Sequence, residues 1–141
     1  MPNHCINNLI MSEDTLPIII QNYIRRDERG QNYFDFESIE PVGEVPDSEG
    51  ERQDKWGTKW NGYSLYIGSS SIDFFTAWTP PIPIMVKLAE LHKDLVFRLE
   101  YFEVGMAFRG IAITRWNGTE VELEDDNWDM TDKDFEELGL L

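Results

Sequence analysis

The 141-residue sequence predicts an α+β fold, an antiparallel sheet with two helices on one face. Three features predict it. Short runs of alternating apolar and polar residues recur along the chain, as strands with one buried face require. Residues 16–24 and 82–92 instead carry their apolar side chains at helical spacing and open on prolines, which a first helical turn tolerates because its N–H groups lack intrahelical partners. Asn117-Gly118 lies between two strand-like runs and marks a tight hairpin.

Residues 5–11 form the first expected strand, although Asn7 and Asn8 interrupt its alternation. Ser12, Asp14 or Thr15 can cap the helix that follows, each offering a side-chain oxygen to an orphan backbone N–H. Leu16, Ile19, Ile20, Tyr23 and Ile24 supply its apolar face. Residues 33–39 alternate as a short strand. Residues 41–53 carry Pro41, Gly43, Pro46 and Gly50 among Glu44, Asp47, Glu49 and Glu51, and read as a solvated loop. The runs 65–67 and 72–78 make a hairpin about Gly68-Ser69-Ser70. Thr79 offers a capping hydroxyl to the second helix, whose inward face is Ile82, Met85, Val86, Ala89 and His92. Strands at 95–101 and 106–114 flank Gly105, and residues 120–123 pair back across Asn117-Gly118 in a type I′ turn.

Strand, helix, strand, strand, helix, strand is the order of the ferredoxin-like split βαβ sandwich, here with a C-terminal β-hairpin and acidic tail added. The term names a fold only, because a single cysteine, Cys5, cannot hold an iron–sulfur cluster. Residues 1–116 are expected to form the ferredoxin-like domain, and 117–141 an acidic extension packed on it or trailing from it.

Twelve Lys and Arg against 27 Asp and Glu give a net charge of −15, which repels phosphate backbones and anionic lipid surfaces. Direct nucleic-acid binding and membrane association are therefore not expected. No signal-like or membrane-spanning run is visible, and the lone cysteine excludes an intrachain disulfide. A cytoplasmic location is the expectation that fits.

Trp56-Gly57-Thr58-Lys59-Trp60-Asn61 and Thr76-Ala77-Trp78-Thr79-Pro80-Pro81-Ile82-Pro83 are the distinctive motifs. In these, in the opening Pro-Asn-His-Cys-Ile-Asn-Asn and in Phe108-Arg109-Gly110, the sequence resembles the YubB-like family of ferredoxin-like-domain proteins carried on bacterial plasmids and phages. The resemblance covers residues 2–110. It implies the ferredoxin-like fold and an origin on a mobile element, and it brings no activity, substrate or catalytic residue with it.

No nucleophile elbow, phosphate-binding loop, His-Glu-X-X-His or Cys-X-X-Cys occurs, so the sequence nominates no catalytic residue. His4, Cys5 and His92 do not make a metal site, since neighbours on a strand point to opposite faces, and no cofactor is expected. Trp56, Lys59, Trp60, Asn61, Asp73 and Trp78 form a candidate pocket. Its aromatic rings offer large rigid contact area, and Asp73 stands in an otherwise apolar strand, where desolvation would raise a carboxyl pKa. The same aromatics can instead clamp a loop onto the sheet, and Asp73 can face solvent.

Residues 117–141 are the most unusual part, with ten carboxylates against a single base, Lys133. Thr131 and Asp134 can cap a short helix that presents Phe135 and Leu138 and ends at Gly139. Glu122, Glu124, Asp125, Asp126, Asp129, Asp132 and Glu136 are candidate partner-binding residues, since dense carboxylates among aromatics suit a basic groove. The leading expectation is a non-catalytic, phage- or plasmid-encoded protein whose acidic surface engages a basic site on a host protein. A nucleic-acid-handling defence system, inhibited by DNA mimicry, is one such target. The alternative is a small-molecule-binding domain or enzyme at the aromatic cluster, and solubility alone is the bland reading of the tail.

Overall fold

The computed structural model describes residues 3–140. Eight strands and four helices follow one another as β1 (His4–Ile10), α1 (Leu16–Tyr23), β2 (Ile24–Arg26), β3 (Asn32–Phe34), α2 (Ser48–Trp56), β4 (Tyr63–Ile67), β5 (Ser71–Ala77), α3 (Ile82–Leu91), β6 (Phe97–Glu103), β7 (Phe108–Trp116), β8 (Val121–Asp129) and α4 (Asp132–Glu137). Six strands form an antiparallel sheet in the order β4-β5-β1-β6-β7-β8, and β2 and β3 form a separate ribbon. β1-α1-β4-β5-α3-β6 is the split βαβ core, with β7 and β8 extending it beyond β6.

Strand periodicity sorts the side chains into two faces. Cys5, Asn7 and Leu9 of β1, Ile72, Phe74 and Thr76 of β5, and Phe97, Leu99 and Tyr101 of β6 are all buried. Together with Leu16 and Ile19 of α1 and Ile84, Met85, Leu88 and Ala89 of α3 they make the core. The polar group of Asn7 is tolerated there because its amide donates to the Thr76 hydroxyl at 2.9 Å and to the Cys5 carbonyl at 3.2 Å. Thr114 likewise donates to the Met85 carbonyl at 3.1 Å, tying β7 to α3.

The expected strand at 33–39 stops at Phe34, because residues 36–38 coil into a short 3-10 turn that drives Phe36 into the core. The expected loop at 41–53 ends in a helix. Asp47 caps α2 by accepting the N–H of Gly50 at 3.2 Å, and Gly57, at φ +81°, ends it. Of the residues expected to cap α1, Ser12 accepts the N–H of the N-cap residue Thr15 at 3.2 Å, one turn before the helix, while Thr15 itself makes no side-chain cap; α3 has none either, and Thr79 donates to the Gly57 carbonyl instead.

The hairpin at 117–120 also differs from a type I′ turn. Only Gly118 has a positive φ, +103°, so Gly118 and Thr119 are its central residues. Asn117 braces it, its side-chain oxygen accepting the N–H of Thr119 and of Glu120, each at 2.9 Å. The returning strand is far longer than residues 120–123, since β8 pairs with β7 from Val121 to Asp129. The acidic extension is thus built into the sheet as its outer strand. α4 forms with the reciprocal cap between Thr131 and Asp134 that the sequence suggests. Among the described residues no helix is long and apolar enough to cross a membrane.

Candidate functional site

The two distinctive motifs meet as a joint. The Thr58 hydroxyl donates to the Ala77 carbonyl at 2.9 Å and accepts the Ala77 N–H at 3.1 Å, while Thr79 reaches back to the Gly57 carbonyl. A side chain at Gly57 would lie 2.6 Å from Pro83 Cδ and 3.0 Å from the Pro80 carbonyl, so glycine is needed both for its φ and for this contact. Thr79 N–H bonds to the Ala77 carbonyl across Trp78, which sits at φ +71° in a tight three-residue turn with its ring exposed.

This joint divides the expected pocket. Trp56 is 2% exposed, its ring edge-on to Phe36 and its indole N–H donating to the Glu40 carbonyl at 2.7 Å, so it is core. Trp56, Trp60 and Asn61 do line one cavity, with Asp27, Tyr33, Arg52, Gly62 and Tyr63. Lys59 lies over the outer Trp60 ring at 5.0 Å, and Asp73 and Trp78 are outside that cavity. Asp73 instead faces out from the sheet, hydrogen-bonded to the Asn8 amide.

The side of the sheet away from α1 and α3 carries three cross-strand rows. Registration aligns Tyr63, Phe75, Ile6, Phe102, Arg109 and Trp128 in the first, and Tyr66, Asp73, Asn8, Glu100, Ile111 and Asp126 in the second. Ser71, Ile10, Arg98, Ile113 and Glu124 form the third. The first row is mainly aromatic and apolar: His4 and Tyr63 both pack on Phe75, with ring centroids 5.2 and 6.0 Å away. The second places carboxylates on β5, β6 and β8, and Glu122 and Glu124 continue the charge along β8. Ile6, Ile10, Phe75, Phe102, Ile111 and Ile113 remain partly exposed among them, an arrangement of apolar centre and polar rim that suits an interaction surface.

α4 folds over one end of this face. Arg109 holds Asp134 at 3.0 Å and Glu137 at 3.1 Å while lying beside the Trp128 ring. The Trp128 indole N–H donates to Asp134 at 3.3 Å. The Thr131 backbone N–H, with these donors, holds the Asp134 carboxyl at about 2, below its ordinary value. Leu138, at the end of α4, closes a cleft of about 180 Å³ over Ile6, Asn8, Glu100, Phe102 and Arg109.

The predicted partner-binding carboxylates fall into three settings. Glu122 and Glu124 project from β8 and are partly neutralised by Arg115, at 3.3 and 3.8 Å. Asp125 points to the helix side, where it accepts the Tyr101 hydroxyl at 2.7 Å, so its role there is to secure β8. Asp126, Asp129, Asp132 and Glu136 are exposed and have no cation within 4 Å among the described residues. Glu100, absent from the sequence-based candidates, lies half-buried on the same outer face, registered with Ile111 and Asn8 and 3.6 Å from Arg98. Its outward direction was readable from the alternation of β6, but its alignment with Asp73 and Asp126 was not.

Residues 55–139, more than half of the chain, match the family described as the ferredoxin-like domain in Api92-like proteins. The chain belongs to that family. This ferredoxin-like domain match spans the boundary at residue 116 and takes in β8 and α4. No curated protein and no solved structure matches the chain.

Proposed function

We propose that this protein, with its Api92-type ferredoxin-like domain, is a non-catalytic binding protein that engages a basic surface of a host protein through the open face of its sheet and the acidic strand β8. The carrying observation is the alignment of Asp73, Glu100 and Asp126 across the sheet, continued by Glu122 and Glu124 down β8, around partly exposed isoleucine and phenylalanine side chains. Carboxylates supply charge complementarity and orientation, while the apolar centre supplies area that can be desolvated.

The resemblance to YubB-like proteins supports the finer reading, a phage- or plasmid-encoded accessory protein acting on a nucleic-acid-handling defence system. Such a target must present a positive channel to hold phosphates. Glu122, Glu124 and Asp126 leave the same side of β8 at intervals of about 6.8 Å, two strand residues apart, which gives a regular line of negative charge for that channel.

Affinity capture from bacterial lysate tests the reading, comparing the full chain with the variant Glu124→Gln/Asp126→Asn/Asp132→Asn at about 0.1 and 1 M salt. Neutralisation is the suitable perturbation, because deleting residues 117–141 would remove a sheet strand. A basic partner retained by the full chain at low salt, and lost both in the variant and at high salt, supports the proposal. A partner held equally under all these conditions counts against it.

A further inference from the structure

The structure also assigns a separate small-molecule site: we infer that the cavity among Arg52, Trp60, Tyr33 and Tyr63 binds an aromatic carboxylate that carries a hydrogen-bond donor at its far end. The cavity, of about 400 Å³, lies between the β2–β3 ribbon, α2 and the segment leading into β4, and is of the size that small-molecule sites occupy. It does not depend on the protein-binding reading.

Arg52 is the reason to expect an anion. In a chain where carboxylates outnumber bases by more than two to one, its guanidinium has no carboxylate within 4 Å among the described residues. Among the described residues its one acceptor is the Lys59 carbonyl, 3.4 Å from Nη1, and its Nε is enclosed with no hydrogen-bond partner. With Nε enclosed, the donors left for a ligand are those of the two Nη groups, and a pair of guanidinium donors suits a bidentate carboxylate. The Arg52 guanidinium carbon also lies 5.5 Å from the centroid of the buried Trp56 ring, a cation–π contact that helps to position it.

The remaining walls define the rest of the ligand. Trp60 stands 37% exposed with its ring edge-on to Tyr63, and Tyr33 is half-buried, so a planar ring would meet aromatic surfaces. Asn61 accepts the Phe36 N–H at 2.9 Å through Oδ1, which leaves its amide N–H groups as donors. Asp27 lines the same cavity. Its Oδ1 already accepts the N–H groups of Arg29 and Gln31, each at 2.9 Å, so the carboxylate is held by its own turn and offers its other oxygen to a ligand hydroxyl or ammonium.

The probe is 4-hydroxyphenylacetate, with 4-hydroxyphenylacetamide as its uncharged counterpart, titrated into the full chain while the indole N–H signals of the tryptophans are followed by NMR. The expected result is saturable movement of the Trp60 signal and binding of the acid at least about ten-fold tighter than the amide, a difference of about 1.4 kcal/mol. Arg52→Met should abolish that preference, Trp60→Ala should weaken acid and amide together, and Lys55→Met should change neither. Absence of saturation by about 10 mM, equal binding of acid and amide, or an undiminished preference in Arg52→Met would overturn the inference. Chemical-shift dispersion of each variant confirms that it is folded.

Discussion

Replacing Gly110 with alanine should loosen the acidic strand from the sheet. Gly110 faces the helix side between Tyr101 of β6 and Asn127 of β8, and the Tyr101 side chain passes over it to donate its hydroxyl to Asp125 at 2.7 Å. A Cβ at Gly110 would lie 2.3 Å from the Tyr101 hydroxyl, 2.4 Å from Cζ and 2.9 Å from Asn127 Cβ. Tyr101 is 3% exposed and cannot swing aside freely. Overpacking of this kind costs about 1–3 kcal/mol, and losing a hydrogen bond to a carboxylate adds about 1.5–3. Alanine's smaller unfolded-state entropy returns about 0.4–1. The net loss should be about 2–5 kcal/mol, or roughly 6–20 °C in Tm at the usual 3–4 °C per kcal/mol for this size. Urea and thermal denaturation of Gly110→Ala, Tyr101→Phe and the double variant measure it. Because Tyr101→Phe removes the atom nearest the new methyl, the double variant should lose less than the sum of the singles. A loss below about 1 kcal/mol in Gly110→Ala, additive with Tyr101→Phe, would refute the threading of Tyr101 over Gly110.

Acid should release α4 from the open face. Since the Asp134 carboxyl sits at about 2 in the fold against an ordinary 3.8, its contribution is complete above the ordinary value and is lost as pH falls through about 2. The Trp128 indole N–H signal should therefore move toward its free position over that range, and an unchanged signal would contradict the anchoring role of Asp134. Trp56→Ala should cost about 3–5 kcal/mol and Trp60→Ala under about 1, because the first is core and the second borders solvent; equal losses in urea denaturation would contradict that division. Burial pushes the Cys5 thiol up to about 12, and its side chain is fully enclosed. The folded protein should resist a thiol-reactive disulfide reagent at pH 8 except at its unfolding rate; immediate stoichiometric labelling would contradict the burial.

Periodicity made α1, α3 and most strands of the large sheet legible, because those elements bury one face and their sequences alternate or repeat accordingly. α2 was hidden for the opposite reason. In Ser48–Trp56 the only core side chain is Trp56, so the helix is specified by the Asp47 cap and the Gly57 end, not by an apolar stripe. β8 was legible only as far as Leu123. Beyond it carboxylates occupy both faces, as an outer strand with solvent on its free edge permits, and its length is set by pairing with β7 and by the Tyr101–Asp125 tether.

The site was legible in composition more than in geometry. The acidic residues were visible as a run, but registration separates Asp125, which secures β8, from Asp126, which faces outward, and recruits Asp73 and Glu100 from distant strands. Trp56, Trp60 and Trp78 looked like one cluster because they are near in sequence. The Thr58–Ala77 joint instead sends Trp56 into the core and leaves Trp78 outside the Trp60 cavity, whose partners Arg52 and Tyr33 come from other elements.

The most direct test of the proposed binding face is an NMR titration of the full chain with a lysine- and leucine-rich amphipathic helical peptide, mapped at about 0.1 and 1 M salt. The account predicts that shifts concentrate on Ile6, Ile111, Ile113, Glu100 and the outward positions of β8, weaken strongly at high salt, and disappear from those positions in Glu124→Gln/Asp126→Asn/Asp132→Asn. Binding centred on the helix side, or the same open-face shifts in the neutralised variant, would contradict it.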